Sequence, residues 1–125
     1  GTLSIDGGAL SLDATSKFTF ALGTTSDLVT LLNSATLNLG SGTLGLADFA
    51  FSNSGGFAAG TYILISGASS FTGSLDGGNL TGSVNGLSST LSMSGNNLVL
   101  TAVPEPNAAA MLGSLGALAL LRRRR

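Results

Sequence analysis

The 125-residue sequence predicts an all-β body. A parallel β-solenoid or its terminal cap is the first reading and a β-sandwich the second. A single C-terminal transmembrane helix is expected to follow. Three observations carry this. Apolar side chains alternate with small polar ones at period two through residues 1–102, the spacing that puts them on one face of a strand. Clusters of Gly, Asn and Asp interrupt the alternation roughly every 8–12 residues, as turns between short strands do. The last residues then change character, with an uncharged apolar run ending in four consecutive Arg.

Taken in order, the alternation appears as Leu3 and Ile5, Leu10 and Leu12, then Phe18, Phe20 and Leu22. It continues as Leu37 and Leu39, Leu44 and Leu46, Phe49 and Phe51, Leu91 and Met93, and Leu98 and Leu100. The intervening Ser, Thr, Ala, Asn and Gly suit a face that meets water. "DGG" (6–8), "NSGG" (53–56), "DGGN" (76–79) and "SGNN" (94–97) are turn clusters, because Gly and Asn accept positive φ at low cost. "SDLVTLLNSA" (26–35) admits a short helix capped by Ser26 or Asp27, but its β-branched residues and strand-like surroundings favour a strand. "GTYILISG" (60–67) is apolar on both faces through Tyr62, Ile63, Leu64 and Ile65 and reads as a buried central strand. The turn clusters follow no fixed period, which a solenoid with irregular rounds tolerates. Low charge, few aromatics and many small residues suit tight stacking of similar rounds. On that reading a chain opening on Gly1 without Met is the end of a longer array.

Charge is divided along the chain. Lys17 stands against Asp6, Asp13, Asp27, Asp48, Asp76 and Glu105, leaving −5 in residues 1–121, and the final four residues add +4. A body with one cation cannot neutralise a phosphate backbone, so no nucleic-acid partner is expected. There is no Cys and no His, which removes disulfides and the usual thiolate and imidazole metal ligands.

The C-terminal segment divides into three parts. Pro104 and Pro106 stop an incoming strand and keep the chain extended. Residues 108–121 are 14 residues without charge, about 21 Å as helix at 1.5 Å per residue. A hydrocarbon core is about 30 Å thick. Arg stems that snorkel to the headgroups lengthen the effective span. Arg122, Arg123, Arg124 and Arg125 form a cytoplasmic stop under the positive-inside tendency, which places residues 1–103 outside the cytoplasm. Ala109, Gly113 and Ala117 make a small-xxx-small face, although Ala and Gly are common in such helices. In this order, Val103, Pro104, Glu105 and Pro106, the apolar run and the Arg cluster resemble the PEP-CTERM sorting signal of Gram-negative-type bacteria. The resemblance covers about 23 residues, and the helix is shorter than the family's pattern.

The resemblance implies an exported precursor held in the inner membrane. An exosortase-type membrane peptidase would cleave it near the PEP motif and release it to the cell surface or extracellular matrix. Residues 1–102 would be the exported domain, 103–107 the motif linker, and 108–125 the membrane helix and basic tail. The nucleophile belongs to the peptidase, so this chain needs no catalytic residue and no cofactor. The body also resembles the Gly/Ser/Thr-rich strands of autotransporter-like β-solenoid passengers, "GTYILISG" in particular.

No GxSxG, phosphate-binding loop or metal-ligand helix is present. Lys17 as a base for a Ser, or two of the five Asp as a glycosidase pair, are formal possibilities that surface chemistry and turn formation explain more simply. Turn aspartates as calcium ligands lack the Gly-Gly-x-Gly-x-Asp repeat. Asn79-Leu80-Thr81 is a glycosylation triplet by pattern and a turn by context. Two further functional readings stand beside the sorted envelope protein. One is a carbohydrate-binding or adhesin module that contacts extracellular polysaccharide. The other is the non-catalytic end of a solenoid polysaccharide-active enzyme.

Overall fold

The computed structural model describes residues 1–13, 15 and 17–104. The expected transmembrane helix, Glu105, Pro106 and the four terminal Arg lie outside these residues. Among the described residues the chain is all-β, with one short 3₁₀ turn at Leu46–Asp48 and no α-helix. Eleven strands follow in order. They are β1 (Thr2–Asp6), β2 (Ala9–Ser11), β3 (Phe18–Leu22), β4 (Leu28–Leu32), β5 (Thr36–Leu44) and β6 (Phe49–Asn53). Then come β7 (Gly60–Ser66), β8 (Phe71–Leu75), β9 (Thr81–Val84), β10 (Leu87–Ser94) and β11 (Asn97–Val103).

The chain visits three parallel ladders in a repeating order. β1, β4 and β7 pair in the first, β2, β5 and β8 in the second, and β3 and β6 in the third. Register is well defined: Thr2 lies opposite Leu28, Leu10 opposite Leu37, and Phe18 opposite Phe49. After β8 the chain stops advancing in this way. β11 joins β7 antiparallel, β10 joins β11, and β9 joins β10, which completes a six-stranded sheet of order β1-β4-β7-β11-β10-β9.

Two tight hairpins make that change of direction. Val84 faces Leu87 across Asn85 and Gly86, which have φ of 48° and 84°. Positive φ at both central residues is the type I′ pattern, whose twist matches that of the flanking strands. Ser94 faces Asn97 across Gly95 and Asn96, with φ of 59° at Gly95. The corner between β4 and β5 is also sharp, with Asn33 and Ser34 at φ of 52° and 63°. "SDLVTLLNSA" is therefore a strand followed by a corner, the favoured reading of the two.

The core consists of the inward residues of the three parallel ladders and of β10 and β11. Leu22, Leu37, Leu39, Leu44, Leu64, Leu91, Leu98 and Leu100 are fully buried. Each such side chain contributes about 1.5–3 kcal/mol on removal from water. Phe18, Phe20, Phe49 and Phe51 stack across β3 and β6, with ring centroids 5.6 Å apart for Phe18 and Phe49 and 6.3 Å for Phe20 and Phe51. In-register parallel pairing superposes these rings, because partners on adjacent strands share a face.

Two expectations about burial need correction. "GTYILISG" is central by pairing, between β4 and β11, but only Leu64 and Ile65 are buried, while Ile63 is 44% exposed. β4 pairs with the later part of β7, at Ile65 and Ser66, so residues 60–63 have β11 on one side only. Leu3, on the pattern's inward face, is 61% exposed because β1 ends its ladder.

Glycines sit where one round passes over another. A Cβ on Gly73 would lie 2.1 Å from the Gly40 carbonyl oxygen, and the φ of +81° there disfavours any L side chain. Gly73→Ala should therefore destabilise the fold by on the order of 2–3 kcal/mol, read as a lower midpoint in denaturant. Gly77→Ala meets nothing within 4 Å, and its effect should stay within about 0.5 kcal/mol. Equal effects would remove the close approach between rounds as the reason for Gly73.

Candidate functional site

The candidate site is the point where the chain leaves the sheet. β11 lies between β7 and β10 and is hydrogen-bonded on both sides. Its last pairs set Ala102 opposite Gly60 and Ser89, and Val103 opposite Ser88. Ala102 is 1% exposed, whereas Val103 is 46% exposed and Pro104 is exposed. Pro104 has no N–H to donate, so the antiparallel ladder cannot extend through it. The structure thus places Val103 and Pro104, the first two residues of the expected sorting motif, at an exposed exit from the middle of a sheet. Glu105, Pro106 and Arg122 to Arg125 are outside the described residues. Exposed, extended backbone of this kind can be bound by another protein, and it holds no group that performs chemistry.

The five aspartates are fasteners of corners. Asp6 accepts a hydrogen bond from the Asn33 side chain, which ties the first corner to the second. Asp13 accepts from the Thr15 N–H at 2.9 Å, Asp48 from the Gly45 N–H at 2.8 Å, and Asp76 from the Gly78 N–H at 3.0 Å. Asp27 pairs with the Gly1 amino group and accepts from the Ala21 N–H at 2.8 Å. Among the described residues no group of three carboxylates gathers as a metal would require. Turn formation thus accounts for the aspartates that the glycosidase and calcium readings would use.

A cleft of about 400 Å³ lies between β6 and β9, lined in part by Lys17, Phe49, Asn79 and Thr81. Lys17 Nζ donates to the Ala47 carbonyl at 3.1 Å, a backbone acceptor rather than a Ser hydroxyl. Asn79 is half-buried. Its carbonyl accepts from the Leu46 N–H at 2.6 Å, and its side chain packs where a Cβ on Gly45 would fall. The glycosylation triplet is therefore built into a contact between rounds. Tyr62 stacks on Phe57 with centroids 5.0 Å apart, and its hydroxyl both donates to and accepts from the Ala58 backbone. One ring face is thereby covered, so the only Tyr is a poor sugar platform.

Among the described residues no helix is long and apolar enough to cross a membrane. Compared with known proteins, the chain matches no family model, no curated protein and no solved structure.

Hydrogen bonding from the Gly1 amino group, then from the Ala21 N–H, holds the Asp27 carboxyl below its ordinary value of 3.8. The ionised form therefore contributes stability above that value, and the contribution is lost as pH falls through the depressed pKa. Between about pH 5 and pH 2, thermal midpoints should fall more for the parent chain than for Asp27→Asn. Equal slopes would assign the acid sensitivity to the other carboxylates.

Proposed function

We propose that this is an exported bacterial envelope or extracellular-matrix protein carrying a C-terminal PEP-CTERM sorting signal. The precursor is held in the inner membrane by residues 108–125, with the Arg cluster on the cytoplasmic side. An exosortase-type peptidase then cleaves it near the PEP motif and releases the body. The single observation that carries this reading is the order of three parts in residues 103–125. Val103-Pro104-Glu105-Pro106 comes first, a charge-free apolar run second and Arg122 to Arg125 last.

Three features of the fold support the reading. The last described strand ends at Val103, the first residue of the motif, so no linker separates the two. Cleavage there removes no strand of the body. Loss of the tail also removes four positive charges and the apolar run, which leaves a body without a membrane-binding element. The aspartates accept hydrogen bonds within or between corners, the structural role the reading gives them.

On the same reading the body is a parallel β-solenoid or its terminal cap. Support comes from the three parallel ladders and from their repeated order along the chain. A β-sandwich, the second architecture, is built on antiparallel sheets, and among the described residues antiparallel pairs occur only where β9, β10 and β11 join the sheet beside β7.

Intact mass of the protein recovered from the native cell surface or medium tests the proposal. The expected product ends near residues 103–107 and lacks 108–125. Replacing Pro104, Glu105 and Pro106 together by Ala should leave full-length precursor in the inner membrane. A surface protein that still contains Arg122 to Arg125 would contradict processing and make the tail a permanent anchor.

A further inference from the structure

The parallel ladders have an uncovered end. Among the described residues β1, β2 and β3 are each terminal in their sheets, so each has one edge of N–H and C=O groups that no described strand covers. Three further strands extend the six-stranded sheet at its other end, beyond β7. The side chains at the uncovered end are those of a core left half-built. Leu3 is 61% exposed, and Ile5, Leu10 and Phe18 are only half-buried. A cleft of about 410 Å³ opens beside Leu3, Phe18, Phe20 and Val29, and an apolar void of about 80 Å³ lies beneath Leu3, Leu10 and Phe18.

We propose that the end formed by β1, β2 and β3 is a stacking surface for one further three-strand round of polypeptide, added in parallel register. The proposal rests on the reading of the body as a parallel stack. Continuity with the contact between the first two rounds identifies the occupant. β4, β5 and β6 cover the opposite edges of β1, β2 and β3 in register, with Ile5 aligned to Leu31, Leu10 to Leu37 and Phe18 to Phe49. A round of the same kind repeats these pairings on the free edges and buries Leu3, Leu10 and Phe18. The required segment is extended, apolar at alternate positions and short of charge, because it must match small outward residues. Charge disfavours a second copy set face to face. The first round carries Asp6 and Asp13 against Lys17, with Asp27 paired to the Gly1 amino group, so such a contact offers no complementary charge.

The test adds the round. Thr2 pairs with Leu28, the residue that follows Asp27. A copy of residues 1–27 joined directly ahead of Thr2 in the full chain therefore places each copied strand of β1 above its original. The added β1, β2 and β3 amides should exchange at least tenfold more slowly than in an unfolded chain. Leu3→Glu at the original position should lower the thermal midpoint in the extended chain and leave the parent nearly unchanged. An added round that exchanges freely while β4, β5 and β6 stay protected would overturn the proposal, as would equal effects of Leu3→Glu in both chains. Sedimentation of the parent as a dimer that Leu3→Glu dissociates would give the surface to a second copy instead. Loss of protection in β4, β5 and β6 of the parent would remove the stack itself. Processing at the PEP motif is a separate readout and is unaffected by any of these results.

Discussion

Parallel strands in neighbouring rounds lie about 4.8 Å apart, and that spacing governs the choice of residue throughout this body. Inside, it sets Phe18 over Phe49 and Leu10 over Leu37, so each round completes the burial of the one beside it. At the corners it leaves no room for side chains. Gly73 passes over Gly40, and a Cβ on Gly67 would lie 2.3 Å from the Leu31 carbonyl oxygen. The corners are themselves hydrogen-bonded between rounds, as with the Gly7 N–H to the Leu32 carbonyl and the Ser54 N–H to the Leu22 carbonyl, both 2.9 Å. Composition follows from geometry. Small residues and hydroxyls dominate because long or charged side chains would crowd or repel when stacked at this distance.

The same constraint shapes what the molecule offers to partners. Turn carboxylates bind backbone N–H groups within their own corners, which satisfies donors that ladders leave open. Outward faces carry few charges, so recognition by long-range electrostatics is weak. The exit at Val103 differs in kind: a strand held on both sides as far as Ala102 ends at Pro104, a residue that cannot donate.

Much of this was legible in the residues, for identifiable reasons. Period-two alternation marks strands, and "NSGG", "DGGN" and "SGNN" mark their ends, because positive φ has few chemical solutions. Strand direction was not legible, since alternation is the same in parallel and antiparallel pairs. Asn85-Gly86 was the available signal for the antiparallel finish, as this dipeptide suits a type I′ hairpin. Burial was legible only in part. Leu3 and Leu37 belong to the same pattern, but one ends a ladder and the other is enclosed. Asp6 and Asp76 announced their turns through adjacent Gly. The contact of Asn79 with the Gly45 corner joins residues far apart in sequence and carried no local sign.

The central claim is that successive rounds stack in parallel, and interstrand nuclear Overhauser contacts of backbone protons in residues 1–104 test it most directly. The account predicts contacts linking Ser4 with Thr30, Leu10 with Leu37 and Phe18 with Phe49, all in parallel register. Antiparallel Hα–Hα contacts between consecutive strands before β9, such as β3 with β4, would contradict it and make the body a meander or sandwich.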